Sequence, residues 1–338
     1  MMTDVLFFVS PIGLGHAARD VAVCEHLQNL SIKFVTGLGA ARLLGEYGFD
    51  VLERYDPPGF DVENGRLRHA VKWLWRYYAY YKDSKAVAAE IIQSVRPKMI
   101  VSDEDFASLA VTQQAKIPCV LITDILETRF TSGLASIIER RMNHVMQSLI
   151  SGSNAVIMPE RGHDAGNIRY TGPIVRSTRK SREQLRESFG FDKYTILASI
   201  GGTDAGEFLL EQVEQAAKGL DADLVTVSGP QLEYASSRNL GFLRDMHEAI
   251  YAADLIISLA GKSTIDEARY YGTPGIFIPI KGHFEQENNA GREGFAFTDL
   301  DNLRNLIKAK MSETRNEQQV NGAAHAAEII SHVLQSNN

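Results

Sequence analysis

The stretch SLAGKSTIDEA, residues 258 to 268, brings a glycine, a lysine and two hydroxyls together where chemistry on a phosphate could take place. Gly261, Lys262, Ser263 and Thr264 match the end of a P-loop, which needs a further glycine five positions before its Gly-Lys pair so that backbone amides can wrap the β-phosphate. That position is Ile256, inside the apolar run Leu255-Ile256-Ile257, so a wrapped triphosphate is excluded. What remains is a helix start, where bare N–H groups and Lys262 favour an anion and the hydroxyls can cap the helix or donate to phosphate. Glu267 lies about one turn inside the helix. Its carboxylate can accept both hydroxyls of a ribose, or it can serve as an ordinary capping or surface group.

Three other stretches have a similar character. In SIGGTDAGEF, residues 199 to 208, Gly201, Gly202 and Thr203 follow an apolar run and precede a helix, which suits an anion or a plain strand-to-helix turn. In IPIKGHFEQENNA, residues 278 to 290, a glycine turn leads into Glu285, Gln286 and Asn289, groups able to hydrogen-bond sugar hydroxyls. VSPIGLGHAARD carries Gly13 and Gly15 at a tight turn, then His16 opening a helix and Arg19 one turn in. Its spacing is not the dinucleotide fingerprint, because the third glycine position is Ala18. A helix N-terminus disfavours an imidazolium, so His16 is expected neutral near pH 7, either as a base or as a residue that packs at the turn. SDED, residues 102 to 105, superficially offers an Asp-x-Asp metal pair. It ends a strand in the first half, where Asp103 is expected to line a cleft and to orient His16 or an acceptor, with no metal bound.

These loops must be held by the elements around them, and those elements are regular. Short apolar runs alternate with helix-length segments, the pattern of βα units building a parallel sheet. In the first half the runs are Val5 to Val9, Ile32 to Val35, Met99 to Val101, Cys119 to Ile122 and Ala155 to Met158. In the second half they are Thr195 to Ser199, Leu224 to Val227, Leu255 to Ile257 and Gly275 to Ile278. The Gly172-Pro173 pair in RYTGPIVRSTRKSREQL divides them, giving a domain over 1–172 and another over 173–338, with the last helix free to pack back on the first. The length of 338 residues favours two domains, since single cores stop growing near ~250 to 300 residues. Two such α/β domains imply a ligand cleft between them.

Composition narrows the partners. A net charge of -7 offers no global basic field for nucleic acid. Two cysteines, Cys24 and Cys119, far apart in apolar surroundings, fit a reducing cytoplasm rather than a disulfide scaffold or zinc site. MMTDVLFFVS lacks the basic region and apolar length of a signal peptide, and no run is long enough to span a bilayer.

In combination these motifs resemble the GT-B glycosyltransferases, most closely glycosyltransferase family 28, whose best-known member adds N-acetylglucosamine to a lipid-linked peptidoglycan precursor. GLGHAARD is similar to the family's N-terminal glycine–histidine loop, RYTGPIVR to its interdomain linker and GGTDAG to its second glycine loop. The block from Gly241 to Ala290 follows the donor-binding signature almost without gaps and is the specific part. The resemblance implies two Rossmann-like doubly wound parallel-sheet domains facing a central cleft, and a nucleotide-sugar, a UDP-sugar, held by the second. Phe242, Leu243 and Met246 would surround the base and Glu267 would take the ribose hydroxyls. Thr203 and the helix start Gly261, Lys262, Ser263 and Thr264 would hold the diphosphate. Gln286, with Glu285 or Asn289, would read the sugar. His16 would act from the opposite wall as base or orienting group. The family commonly carries two adjacent glutamines in the sugar loop; the first is Glu285 here, which leaves the sugar open. Neither metal nor other cofactor is implied, because helix N-termini and donors stabilise the leaving diphosphate.

The acceptor is less legible. RLRHAVKWLWRYYAYYKDSK, residues 66 to 85, packs two tryptophans and four tyrosines into one helix-length segment. Leu67, Val71, Leu74, Tyr78 and Tyr81 have core spacing, Arg68, Lys72 and Arg76 form a basic stripe, and Trp73, Trp75, Tyr77 and Tyr80 are left over. Basic and aromatic groups together suit a lipid-linked or membrane-surface acceptor, and with it a peripheral place at the inner face of the membrane; packing between helices is the alternative. Two other functions compete with a cell-envelope glycosyltransferase. GLGHAARD and GGTD also resemble a GT-B-like nucleotide-sugar hydrolase, in which His16 and Arg19 would fit and water would replace the acceptor. A non-catalytic nucleotide-sugar-binding subunit is the third, disfavoured by both halves lying in one chain.

Overall fold

The computed structural model describes residues 3–128, 136–202, 204–229, 234–236 and 238–337. In chain order the elements are β1 (Val5–Val9), α1 (Gly15–Cys24), β2 (Ile32–Thr36), α2 (Leu38–Glu46), β3 (Asp50–Glu53), β4 (Val62–Glu63), β5 (Arg66–Leu67), α3 (Ala70–Val95), β6 (Met99–Asp103), α4 (Phe106–Gln114) and β7 (Cys119–Ile122). There follow α5 (Ser136–Ser151), β8 (Ala155–Met158), β9 (Ile168–Tyr170), α6 (Arg182–Phe189), β10 (Thr195–Ser199), α7 (Glu207–Ala217) and β11 (Asp223–Val227). The chain ends with α8 (Met246–Ala252), β12 (Leu255–Leu259), α9 (Lys262–Tyr271), β13 (Gly275–Ile278), α10 (Phe284–Arg292), α11 (Leu303–Lys310) and α12 (Ala323–Ser336).

These elements form two compact units. The first contains residues up to Gly59, from His69 to Ile174, and from Asn321 onward; the second contains Phe60–Arg68 and Val175–Val320. The sequence assigns residues 60–68 to the first domain, and here the structure differs. Asn64 and Gly65, both at positive φ (48° and 72°), make a tight two-residue turn between β4 and β5, and this hairpin packs with the second unit.

In the first unit seven parallel strands run in the order β3-β2-β1-β6-β7-β8-β9. Central strands such as β1 and β6 are buried along their whole length, as expected of a parallel sheet covered on both faces. The edge strands β3 and β9 are polar and partly exposed, which is why no apolar run announces them. Val9 pairs with Asp103 and Asp103 with Ile122, so the ends of β1, β6 and β7 are level. The chain builds outward from β1 to β3 and then crosses to β6 on the other side, which makes the gap beyond β1 and β6 a topological switch point.

The second unit has four parallel strands in the order β11-β10-β12-β13, with its switch point between β10 and β12. Alternate residues serve opposite faces: Leu197, Ile256 and Phe277 pack into one core, and Ile196, Ile257 and Ile278 into the other.

The aromatic segment corrects an expectation. Helix α3 begins at Ala70, so Leu67 lies in β5, and Val71 and Tyr78 are 49% and 41% exposed. The buried face is Leu74, Ser84, Ala88, Ile91 and Ile92. Trp73 is half-buried, stacked on Tyr77 at 5.0 Å, with its indole N–H donating to the Pro58 carbonyl at 3.0 Å. Tyr80 meets Tyr55 edge-on. Of Trp73, Trp75, Tyr77 and Tyr80, Trp75 is the exposed one, at 59%. Arg68 also falls outside the helix, paired with Glu63, so the basic groups beside Trp75 are Lys72 and Arg76. Among the described residues no helix is long and apolar enough to cross a membrane.

Candidate functional site

In the first unit the site forms at the level ends of β1, β6 and β7. Gly13, at φ 81°, turns the chain after β1 and Gly15 starts α1, which places His16 in its first turn. His16 Nδ1 lies 2.8 Å from Asp103 Oδ1, at the end of β6. A carboxylate at that distance makes Nδ1 the protonated nitrogen of the neutral ring and leaves Nε2 as the basic one. Arg19 Nε donates to Asp103 Oδ2 at 2.6 Å, its Nη2 donates to Asp103 Oδ1, and its Nη1 donates to Asp124 Oδ1 at 2.7 Å. Asp103 is buried; burial alone would raise its pKa, but Arg19 and then His16 hold the carboxyl well below its usual range.

SDED also contains Glu104, to which the sequence assigns no role. It sits at φ 51°, a left-handed conformation costing roughly 1 to 2 kcal/mol for a residue with a side chain. Its Oε1 accepts from the Asp124 N–H at 2.8 Å, and its Oε2 lies 3.7 Å from His16 Nε2. The expectation of a neutral His16 fails for this reason. Burial lowers its pKa, but Asp103 and then Glu104 outweigh it and raise the pKa to about 9, so the ligand-free imidazole is charged at pH 7. Asp20, to which the sequence assigns no role, is fully buried with no hydrogen-bond partner for either carboxyl oxygen; burial and then the neighbouring Asp103 raise its pKa well above the usual carboxylate range.

Arg19 is buried and bound to two carboxylates, so it serves Asp103 rather than presenting a guanidinium to an incoming phosphate. The Asp-x-Asp pair is likewise divided. Asp105 caps α4, accepting from the amides of Ala107 and Ser108, and also accepts from the Tyr55 hydroxyl at 2.7 Å. Among the described residues no group of three or more His, Cys, Asp or Glu is placed to hold a metal. Cys24 and Cys119 are free thiols.

In the second unit the predicted glycine, lysine and sugar-reading loops follow the ends of β10, β12 and β13, with the switch point between β10 and β12, while Phe242, Leu243 and Met246 lie between β11 and α8 or at its start. Gly201, at φ 74°, and Gly202 turn the chain after β10; Thr203 lies outside the described residues. Gly261 is the N-cap of α9 and offers no capping side chain, so Lys262, Ser263 and Thr264 form a first turn unblocked by the cap residue. Lys262 Nζ pairs with Asp266 one turn on. Gln286 Oε1 accepts from the Ile280 N–H at 2.9 Å, fixing the turn after β13. Asn289 donates to the Ala260 carbonyl at 3.2 Å, tying the 285–289 segment to the α9 start. Glu285 lies beside Gln286 in the first turn of α10, and Phe242, Leu243 and Met246 are half-buried before and at the start of α8.

Glu267 is buried and paired. Arg176 Nε donates to its Oε1 at 3.0 Å, while Arg176 Nη1 donates at 2.8 Å to the carbonyl of Arg244, beside Leu243. Burial raises the Glu267 pKa and Arg176 opposes that shift. One guanidinium therefore joins the 242–246 loop to the carboxylate of α9. Arg176 lies inside RYTGPIVR, a stretch legible as a linker but silent about this contact. His247, buried nearby with no partner for its Nδ1, is held neutral by burial and then by Arg176, which lower its pKa to about 3.

Comparison with known proteins identifies the family. Residues 197–326 match the glycosyltransferase family 28 C-terminal domain. A glycosyltransferase of Methanosarcina mazei is 33% identical over 342 residues, an alignment covering 85% of this chain and 82% of the relative. The UDP-N-acetylglucosamine–N-acetylmuramyl-(pentapeptide) pyrophosphoryl-undecaprenol N-acetylglucosamine transferase of Thermus thermophilus is 27% identical over 202 residues, 57% of each chain. Among solved structures, the glycotransferase of kitacinnamycin superposes with a TM-score of 0.69 at 13% identity, covering 99% of this chain and all of that one.

Proposed function

The chain is a glycosyltransferase of GT-B fold with a family 28 C-terminal domain, and from that premise we propose that it moves a sugar from a UDP-sugar to an acceptor hydroxyl at a lipid surface. The second unit holds the donor. The α9 start and the 201–202 turn carry the diphosphate, Phe242, Leu243 and Met246 enclose the base, Glu267 takes the ribose, and Gln286 with Glu285 or Asn289 reads the sugar. The single observation behind this assignment is that Arg176 joins Glu267 to the 242–246 loop, with the other loops following neighbouring strand ends on either side of the switch point.

The first unit activates the acceptor. His16 Nε2 removes the hydroxyl proton, the oxygen bonds to the anomeric carbon, and the bond from that carbon to the diphosphate breaks with its electron pair leaving on the diphosphate oxygen. Displacement from the opposite face inverts the anomeric centre. Asp103 holds the ring and stabilises the imidazolium that forms, and Arg19 keeps Asp103 ionised. Helix N-termini and Lys262 balance the leaving charge, so turnover proceeds without metal and withstands EDTA.

The exposed Val71, Trp75 and Tyr78 beside Lys72 and Arg76 favour a lipid-linked acceptor. The test is incubation with UDP-, GDP- and dTDP-sugars, with and without lipid extract. Release of UDP that requires the extract is the expected result. Release of free sugar at full rate without any acceptor, or binding without turnover, would overturn the reading.

A further inference from the structure

The hairpin Phe60–Arg68 belongs by sequence to the first half of the chain, yet it is built into the second unit beside the loops assigned to the donor. Its Leu67 N–H donates to the Lys281 carbonyl and the Lys281 N–H donates to the Gly65 carbonyl, both at 2.8 Å, a parallel bridge onto the turn after β13. Val62 and Leu67 pack against the core that holds Ile278 and Ile280. Gly65 fills a space no side chain could share: a Cβ there would lie 2.7 Å from Phe208, at the start of α7, and 2.7 Å from Phe297. The Arg66 guanidinium sits 4.9 Å from the Phe297 ring centre. The hairpin thus touches the elements following both β10 and β13.

Phe60 makes the contact nearest the chemistry. Its ring meets His283 edge-on at 5.0 Å, and His283 is the N-cap of α10, accepting from the Gln286 N–H at 3.4 Å. Burial lowers the His283 pKa to about 4 and keeps Nδ1 available as that acceptor. Gln286 returns the contact through its side chain to the Ile280 N–H. Phe60, His283, Gln286 and the Gly65–Lys281 bridge form one continuous support for the sugar-reading turn.

We infer that the hairpin is a positioning element for the donor sugar: through Phe60 and the Lys281 bridge it fixes Gln286, and so adds affinity for the sugar without touching the nucleotide. This rests on the donor assignment above. The test is calorimetric titration with UDP and with UDP-N-acetylglucosamine of the wild type, Phe60→Ala, Phe60→Tyr and Gly65→Ala, the folding of each checked by circular dichroism. In Phe60→Ala the Kd for UDP stays within about twofold while that for UDP-N-acetylglucosamine rises about tenfold, the loss of one or two sugar hydrogen bonds. Phe60→Tyr retains wild-type values, and Gly65→Ala, if folded, behaves like Phe60→Ala. Equal weakening of both ligands, no weakening of either, or a wild type for which the sugar adds no affinity would overturn the inference. A wild type that binds no nucleoside diphosphate, whether UDP, GDP or dTDP, would instead overturn the donor assignment itself.

Discussion

His16 stands in the first turn of α1, where the helix dipole disfavours its charged form, yet it lies 2.8 Å from the Asp103 carboxylate. The dipole is worth about 0.3 to 1 kcal/mol at a helix end, whereas opposite unit charges at about 4 Å interact by about 4 kcal/mol at an effective dielectric of 20. The carboxylate wins, and the base must lose a proton before it can act. Acceptor-dependent kcat/KM is therefore expected to rise with pH on a limb near 9. In Asp103→Asn that limb moves down toward the ordinary histidine value and the plateau falls by about 10²- to 10⁴-fold. A limb that stays in place would separate Asp103 from the protonation of His16. The same shift bears on stability. Because the folded pKa is raised from 6.5 to about 9, protonation favours the folded state; the contribution is full below pH 6.5 and lost as pH rises through 9.

At the scale of elements, α3 shows how one displaced helix start changes a surface. With the helix beginning at Ala70, Leu74, Ala88, Ile91 and Ile92 face the core, while Val71, Trp75 and Tyr78 face outward with Lys72 and Arg76 near them. Flotation with anionic liposomes is expected to carry the protein up, and the double variant Trp75→Ala with Arg76→Ala to stay at the bottom of the gradient. Trp73→Ala keeps its binding but melts earlier, because Trp73 is engaged with Tyr77 and the Pro58 carbonyl. Binding that survives the double variant would remove this face from the acceptor reading. The hairpin supplies a second case. Its two short strands close on the Asn64-Gly65 turn, and only the fold supplies their partner, the Lys281 backbone.

For the whole molecule, the terminal helix is part of the first unit. Helix α12 packs on α1, β7 and β8, burying Ile330, Val333 and Leu334, and the preceding Gly322 N–H donates to the Pro173 carbonyl at 2.7 Å. Each such side chain contributes about 1.5 to 3 kcal/mol, and a domain's entire stability is about 5 to 15 kcal/mol. Removal of residues 321–338 should therefore leave the first unit unfolded or aggregated. Retention of a cooperative melt at the wild-type temperature would refute that placement of the stabilising contacts.

The sequence by itself determined the nine apolar strands, the division into two α/β halves, the glycine turns and the glycosyltransferase family, because each is carried by local periodicity or by residues close along the chain. Edge strands β3 and β9 escaped because a partly exposed strand has no apolar run. Tertiary structure decided the pairings. The sequence left Asp103 to orient His16 or an acceptor, and the fold pairs it with His16, 87 residues away; the pairing of Arg176 with Glu267, 91 apart, had no signal at all. Nor could 60–68 be assigned to the second unit before Gly65 was seen between Phe208 and Phe297. The charge of His16, the restraint on Glu267 and the support beneath Gln286 depend on groups brought together by folding, and no local pattern encodes the distance between them.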